Sequence, residues 1–284
     1  MKSGFRVFLA ALIALGGSWC GFVLGPVLQL GGEKQTTILN SSDLYPVGRP
    51  GMANQGLQVY CANGCAACHT EQVQQSGVMC DVVLTSAGKN PALVAQACAE
   101  AGMKTQYRTW PPPKLPITVS EGLDSAAASV AVAEITAAGG KAEIHIAATG
   151  PDITRGWGLR RSVAEDFLYD NPVQLGSLRI GPDLADVGTR LPDANWQLRH
   201  LYAPQSVVKD SAMPPFRYLF RVQKMGSEPS PDALNLPKGF APPPGYEVVS
   251  TARAQELVAY LLSLHANVPL YDAPFTQAVA VSKP

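Results

Sequence analysis

Three residues in the first third of the chain carry ligand chemistry at a recognisable spacing: Cys65, Cys68 and His69. Cys-x-x-Cys-His is the attachment signature of a c-type haem, in which both thiols bond to the porphyrin and the histidine binds the iron. A zinc site would need a second ligand pair at metal-binding spacing, and the sequence has none. A redox dithiol of the thioredoxin kind would follow a strand, whereas a helical pattern precedes this motif. The spacing therefore predicts one covalently attached haem c.

An iron that only carries electrons needs a second axial ligand, and methionine is a common partner of histidine. Met213 lies in KDSAMPPFRYL, a loop stiffened by two prolines between two later helical patterns, and it is our candidate. The other internal methionines lie too close after His69, ahead of the first helix of the site, in a separate block or in an irregular run: Met79, Met52, Met103 and Met225. Two histidines in helical patterns remain as alternatives: His200 and His265.

The segment SLRIGPDLADVG, residues 177–188, is a further candidate part of the haem pocket. Gly181 and Pro182 predict a rigid turn, which would place Pro182 against the proximal imidazole or the ring. Arg179 is a candidate partner of a haem propionate, because a guanidinium binds a carboxylate through two hydrogen bonds. The alternative interpretation is a solvated loop with an ordinary Gly-Pro turn.

Composition limits the class of partner. The 284 residues include 22 basic and 22 acidic side chains, so the chain carries no net charge. Binding to nucleic acid needs a cationic surface, and we therefore expect no nucleic-acid partner. The 24 prolines and 26 glycines favour a loop-rich body over a simple helical bundle.

The N-terminal segment is long and apolar enough to cross a membrane. Residues 7–32 contain no charged side chain, and about 20 apolar residues of helix span the hydrocarbon core. Lys2 and Arg6 precede the segment, which favours a cytoplasmic N-terminus with the rest of the chain outside. A cleaved signal peptide is the alternative, but the apolar run is longer than usual and lacks a small-residue cleavage site. The sequence predicts a retained transmembrane anchor over residues 1–32, in contact with membrane lipid, and a turn-rich stalk over 33–50.

Helical spacing accompanies the candidate ligands. It appears in MANQGLQVYCANG, in PDANWQLRHLYAP and in STARAQELVAYLLSLH, where apolar residues recur every three or four positions. Ser250 or Thr251 is the predicted cap of the last of these helices. The fold class that follows is mainly α: a discontinuous c-type cytochrome domain over 51–79 and 150–266, and a tail over 267–284.

The block between those two parts differs in composition and in its secondary-structure pattern. Residues 80–149 are rich in alanine, contain nothing resembling a metal or cofactor site, and show a β-α-α-β pattern. DVVLTSAG and LPITVSEGLDSAAASVAVAEITAAGGKAEIHI are similar to the first strand and to the last turn, helix and strand of the C-terminal domain of the ribosomal stalk protein. KTQYRTWPPPK departs from that family, because three consecutive prolines exclude its middle helix. The resemblance implies a small inserted α/β domain and no ribosomal role.

The rest of the sequence resembles the membrane-anchored monohaem cytochrome c subunit, subunit II, of cbb3-type cytochrome c oxidases. The resemblance covers residues 5–79 and 155–265. It rests on GLQVYCANGCAACHTEQV, followed in order by GPDL, WQLRHLY-P and S-MP. It implies thioethers at Cys65 and Cys68 and axial ligands at His69 and Met213. It also implies three pocket residues: Tyr169, Arg179 and Pro182.

The same resemblance implies a place in a respiratory complex. The subunit would lie in a bacterial inner membrane with its soluble domain on the periplasmic side. It would pass electrons to a haem-copper catalytic subunit that reduces oxygen, alongside other cytochrome c subunits, and would not itself be catalytic. The alternatives are a cytochrome subunit of a nitric oxide reductase or another respiratory complex, a haem enzyme or gas sensor with an open iron position, and a docking role for the inserted block.

Two features depart from the family pattern. One is the inserted block itself, because the family joins the same two regions by a short connection. The other is a pair of additional cysteines near the insertion points, Cys61 and Cys80, to which the block itself adds Cys98. Disulfides persist in oxidising compartments, and we hypothesise that Cys61 with Cys80, or Cys80 with Cys98, clamps the insert.

Overall fold

A computed structural model of the chain describes residues 2–39, 41–49, 51–100, 103 and 114–270. The predictions for KTQYRTWPPP and for the tail beyond residue 270 lie outside the described residues. The helices are α1 (Lys2–Trp19), α2 (Gly25–Leu30), α3 (Met52–Ala62), α4 (Pro91–Glu100), α5 (Ser125–Ala137), α6 (Pro151–Thr154), α7 (Val187–Arg190), α8 (Ala194–Tyr202) and α9 (Ala252–Leu262). The strands are β1 (Thr36–Thr37), β2 (Leu44–Tyr45), β3 (Gly77–Ser86), β4 (Ile117–Leu123), β5 (Lys141–Thr149), β6 (Phe220–Lys224) and β7 (Tyr246–Ser250).

The N-terminal helix stands apart from the rest of the chain. Helix α1 continues through a π-helical turn, Cys20–Leu24, into α2. Its apolar part, Gly4–Leu30, has 27 residues; the most apolar window of 18 residues has a mean hydropathy of 2.2, and none of that window is buried. At 1.5 Å per residue such a helix is longer than the ~30 Å hydrocarbon core of a bilayer. It is the one helix of this kind among the described residues, and it fits a membrane-anchored protein.

Residues 51–76 and 150–266 form the helical unit, which is built around α3 and α9. The two helices approach closely, because a Cβ atom on Gly56 would overlap the backbone carbonyl of Glu256. The aromatic rings of Tyr60 and Tyr260 pack across this contact at 5.2 Å. Apolar residues from both parts of the chain complete the core: Leu57, Leu184, Val187, Leu201, Leu219, Leu257 and Leu264.

The capping of the later helices follows local sequence. Asp193 precedes α8 and its carboxylate accepts a hydrogen bond from the amide of Asn195, which satisfies a free N–H of the first turn. Thr251 is the residue before α9, as predicted, but its hydroxyl donates to the carbonyl of Leu219 at 2.7 Å. Thr251 therefore fastens α9 to the segment ahead of β6 instead of capping the helix.

Residues 77–149 form the α/β unit, whose sheet has the strand order β4-β3-β5, all antiparallel. Val82 pairs with Ile144 on one side of the central strand, and Val83 pairs with Thr118 on the other. Helices α4 and α5 close the core, and the carboxylate of Asp124 caps α5 by accepting from the amide of Ala127 at 2.7 Å. The core consists of small and branched apolar residues: Val82, Leu84, Val94, Val119, Ala128 and Ile135.

The predicted β-α-α-β pattern of this unit was incomplete, because the structure is β-α-β-α-β. Strand β4 forms where the sequence analysis placed a turn. Ile117 and Val119 alternate with Thr118 and Ser120, which is the period of two that a half-buried strand shows. Val119 is fully buried, so this strand contributes directly to the core.

The chain enters and leaves the α/β unit side by side. Gly77 pairs with Thr149 at the end of the sheet, and the amide of Ser76 donates to the carbonyl of Thr149 at 2.8 Å. We call residues 74–77 and 149–152 the stem. Core residues of the helical unit lie both before residue 77 and after residue 149. The α/β unit, which has a core of its own, is therefore inserted within the sequence of the helical unit.

Two small antiparallel pairs complete the described fold. Strands β1 and β2 pair within the predicted stalk, and the hydroxyl of Tyr45 donates to the carboxylate of Asp166 at 2.7 Å, so this segment is fastened to the helical unit. Strands β6 and β7 pair with Phe220 opposite Ser250, a hairpin that the sequence analysis did not predict. The proline-rich residues 225–245 between them are irregular apart from one bridge at Ala233, as expected.

Candidate haem site

The Cys-x-x-Cys-His motif begins where α3 ends. Gly64 adopts a left-handed conformation, with φ of 66°, and turns the chain into a short 3-10 segment, Cys65–Ala67. The amides of Cys68 and His69 both donate to the carbonyl of Cys65, at 3.1 and 3.0 Å. This single turn fixes the spacing of the two thiols and places the imidazole directly after them.

The imidazole of His69 is oriented by a backbone carbonyl. Its Nδ1 lies 2.8 Å from the carbonyl oxygen of Pro182, and because a carbonyl only accepts, Nδ1 must carry the proton. Nε2 is then left with the lone pair that a metal ligand needs. Burial lowers the pKa of His69, which favours the neutral ring that binds iron.

Two glycines allow the later loop to approach this histidine. A Cβ atom on Gly181 would overlap the imidazole of His69. Gly176 has a φ of +76°, and a Cβ atom there would overlap the carbonyl of His69. The backbone of residues 176–182 therefore packs directly on the histidine, and any larger side chain would displace it.

An apolar cavity adjoins the imidazole. It is lined by Tyr60, Cys65, His69, Pro182, Leu184, Val187, Arg190, Leu191, Trp196, Gln197, His200, Leu201, Met213, Leu257 and Leu261. The donors among these residues are the thiol of Cys65, the imidazoles of His69 and His200 and the thioether of Met213, and the second motif thiol, Cys68, is half-buried. This donor set fits haem c.

Two candidates for the second axial ligand line the cavity. Met213 is half-buried, packs against the main core and is followed by two prolines. His200 stacks on Trp196 at 4.8 Å, and burial lowers its pKa to about 4. His265, the other alternative, binds the hydroxyl of Thr189 and is not among the lining residues.

Of the three pocket residues expected from the sequence, only Pro182 lines this cavity. Pro182 lines the cavity and holds His69. Arg179 is not among the lining residues, because its guanidinium is bound to the carboxylate of Asp152. Tyr169 is 48% exposed and lines a different surface pocket, together with Arg49.

Residues 149–264 match the family model described as cytochrome c oxidase, mono-heme subunit/FixO. The C-terminal part of this chain is similar to the monohaem subunit of cytochrome c oxidase. The matched region is less than half of the 284 residues. It contains Pro182, His200 and Met213 but not the Cys-x-x-Cys-His motif. No curated protein matches the sequence significantly.

The matching family model describes a mono-heme subunit of cytochrome c oxidase. The apolar N-terminal helix agrees with a membrane-anchored protein. The region with the cavity-lining residues of α7, α8 and α9 is the region that the family model matches.

One charged residue of the haem site was missed by the sequence analysis. Arg190, at the end of α7, lines the cavity and donates to the carbonyl of Asp183 at 2.5 Å. Its buried Nε has no hydrogen-bond partner among the described residues, and burial lowers the pKa of its guanidinium. The sequence feature that could have indicated Arg190 is its position eight residues after Pro182 in the same turn-rich segment. Helix α7 has only four residues, which is too short to predict from periodicity.

The thiol of Cys65 differs from a typical redox-active thiol. Burial raises the pKa of Cys65 to about 12, whereas redox-active thiols have lowered values. All six cysteines are free in the structure. Cys80 and Cys98 are both buried in the core of the α/β unit, and Cys61 packs against the core of the helical unit. The hypothesised clamp is therefore not present in this structure.

Proposed function

We propose that this chain is an electron-carrying subunit that holds one haem c by thioethers at Cys65 and Cys68. Its axial ligands are His69 and Met213. The observation that carries the proposal is that His69 is fixed with Nδ1 protonated at the edge of an apolar cavity that Cys65 and Met213 also line. The similarity of residues 149–264 to the monohaem oxidase subunit supports it independently.

The protein residues set the conditions for electron transfer. When bound, the haem supplies an iron that takes up and releases one electron. Pro182 holds His69 in one tautomer, and the thioether of Met213 raises the reduction potential. Apolar side chains such as Leu257 and Leu261 exclude water from the cavity. Arg190, whose buried Nε has no hydrogen-bond partner among the described residues, would pair with a haem carboxylate.

The proposed partner is the haem-copper catalytic subunit of a cbb3-type oxidase, together with its other cytochrome c subunits. The helix Gly4–Leu30 anchors the chain, and Lys2 and Arg6 ahead of it favour a periplasmic position for the haem. His69 and Met213 would together hold the iron, which would leave it no position for a substrate and suit it to electron transfer alone.

The α/β unit is proposed to be an inserted module with no ligand in the haem site. Its core is separate from that of the helical unit, and its two ends are paired at Gly77 and Thr149. The resemblance to the ribosomal stalk protein remains a prediction about its fold. A docking role for the module would be contradicted if a chain lacking residues 81–148 assembled normally into its complex.

Haem staining of a denaturing gel tests the attachment. The unaltered chain and Cys61→Ser, a matched control one helical turn before the motif, should stain, and Cys65→Ser/Cys68→Ser should not. Pigment retained by the double variant, or absent from the unaltered chain, would contradict the proposal.

Purification of the membrane complex tests the partner. We expect a haem-copper subunit that reduces oxygen to accompany the chain. Nitric oxide reduction by the purified complex would instead support the alternative complex, and strong carbon monoxide binding by the reduced chain would support an open iron position.

A further inference from the structure

Arg179 lies at the centre of a charged network between the α/β unit and the haem site. Its Nη1 lies 2.5 Å from the carboxylate of Asp152, and its Nη2 donates to the carbonyl of Gln72 at 2.5 Å. Nη2 also lies 3.7 Å from the carboxylate of Asp183. The guanidinium packs over the ring of Trp157, 5.9 Å from its centre. One side chain thus joins three separate segments of the chain.

Asp152 connects this network to the stem. The residue is only 2% exposed, and its carboxylate accepts a hydrogen bond from the amide of Gln74 at 2.7 Å. Gly150 allows the two sides of the stem to meet, because a Cβ atom there would overlap the amide of Ser76. The carboxylate therefore holds both chain segments that lead into the α/β unit.

Asp183 connects the network to the histidine. Its fully buried carboxylate accepts from the hydroxyl of Thr70 at 2.5 Å and from the amide of Gln72 at 2.8 Å. Thr70 follows His69, and Asp183 follows Pro182. The carboxylate therefore fixes the two segments that meet in the hydrogen bond from His69 Nδ1 to the Pro182 carbonyl.

We propose that Arg179 is a positioning residue that couples the stem of the α/β unit to the hydrogen bond between His69 and Pro182. The inference rests on the proposed function, in which His69 is the proximal haem ligand. The bond that a ligating histidine donates to its outer partner raises the basicity of the ligand. A loosened bond makes the imidazole a weaker donor, which stabilises the oxidised iron less and raises the reduction potential. The stem of the α/β unit is thus part of the support of the haem.

The test compares Arg179→Gln with Arg221→Gln, the same substitution at an exposed position of β6, in the full-length haem-loaded chain. Potentiometric titration should give a raised midpoint for Arg179→Gln and the midpoint of the unaltered chain for the control. The electron paramagnetic resonance g values of the oxidised haem, which report the orientation of the axial ligands, should change in the same variant alone. Arg179→Lys, which keeps the charge but not the planar fork, should show a smaller shift.

A loaded Arg179→Gln chain whose midpoint and g values equal those of the control would overturn the coupling. If that variant does not load haem, Asp152→Asn decides, because it keeps the volume and removes only the charge that Arg179 binds. Its midpoint should rise, and an unchanged midpoint would overturn the coupling. Absence of covalent haem from the unaltered chain would overturn the proposed function and this inference with it.

Discussion

The helical unit and the α/β unit bury different kinds of side chain. In the described part of the α/β unit the buried core is apolar, with Val82, Leu84 and Ile135 fully covered. The buried polar and charged residues of the described chain all lie outside 77–149: Thr70, Glu71, Asp152, Glu165, Asp166, Asp170, Asp183, Asp186, Gln197, Glu247 and Ser250. Burying a charge costs free energy unless it is paired. Among the described residues, the helical unit therefore depends on buried pairing and the α/β unit does not.

Glu71 illustrates the free-energy cost of burying a charged group in the helical unit. It is 1% exposed, and burial raises its pKa to about 7 although the hydroxyl of Tyr260 donates to the carboxylate. A cofactor that binds only the folded chain stabilises it, and residues that line the haem site belong to the core of the helical unit. That core should therefore depend on the haem for stability, whereas the core of the α/β unit should not.

Removing the haem should therefore destabilise the helical unit and leave the stability of the α/β unit unchanged. In Cys65→Ser/Cys68→Ser we expect amides of α3, α8 and α9 to lose most of their protection from hydrogen exchange. Amides of β3 and α5 should keep theirs, because their core contains no residue of the haem site. Cys61→Ser, which leaves the motif intact, is the control. Equal loss of protection in both units would show that they share one stability, contrary to the comparison.

Truncating the second ligand should alter the helical unit without unfolding it. Met213→Ala should lower the midpoint potential by on the order of 0.1 V, within the ~0.8 V over which axial ligands set haem potentials. The thioether is the group that raises the potential. Met225→Ala, at a residue 40% exposed outside the cavity, should leave the midpoint and the visible spectrum unchanged. If Met213→Ala also leaves them unchanged, His200 becomes the candidate ligand.

Opening the other core should have the converse effect. Ile135 is fully buried in the α/β unit, so Ile135→Ala should destabilise that unit by about 2–5 kcal/mol. Val130→Ala, on the same helix at a residue 55% exposed, should have little effect. Hydrogen exchange measures the local loss, and the haem midpoint should remain that of the unaltered chain. A midpoint shifted by Ile135→Ala would mean that the core of the module, and not only its stem, influences the haem.

Local patterns predicted the parts of the site that depend on local structure. The attachment motif, α3 and α9 follow from residues within a few positions of one another, and the helical unit forms both helices close to their expected ends. The α/β unit shows where local patterns are insufficient, because the alternation at Ile117 and Val119 is short and follows directly after Pro116. The sequence therefore predicted the first and last strands of this unit but a turn in place of β4.

Pairing between distant segments could not be predicted. Arg179 and Arg190 lie in the same turn-rich region, and either could be assigned to a haem carboxylate from the sequence. Their difference arises from Asp152, which is brought to Arg179 by the return of the chain from the α/β unit. The role of Asp183 likewise depends on contacts with Thr70, more than a hundred residues earlier. Such roles are set by tertiary packing and leave no local pattern.

The smallest expected difference between the two units is in how their stability depends on pH. Burial alone would raise the pKa of Asp152, but hydrogen bonds from Arg179 and the Gln74 amide and the charge of Arg179 outweigh it and lower the pKa below its usual value. A lowered pKa stabilises the folded state above the ordinary range of aspartate, near 4, and that stabilisation is lost as the pH falls through the folded value. Asp152→Asn should therefore destabilise the helical unit by about 1–3 kcal/mol at pH 7. The difference from the unaltered chain should shrink at acid pH, because both side chains are then uncharged.

Urea unfolding followed by haem absorbance at neutral and acid pH measures this difference. Asp124→Asn is the matched control, because the same substitution removes a charge that caps α5 in the α/β unit and should leave the haem-monitored transition unchanged at both pH values. A gap between Asp152→Asn and the unaltered chain that stays constant with pH would mean that the carboxylate acts through shape and not through its charge. The stem would then be held by packing alone, and the charged network would no longer distinguish the helical unit from the α/β unit.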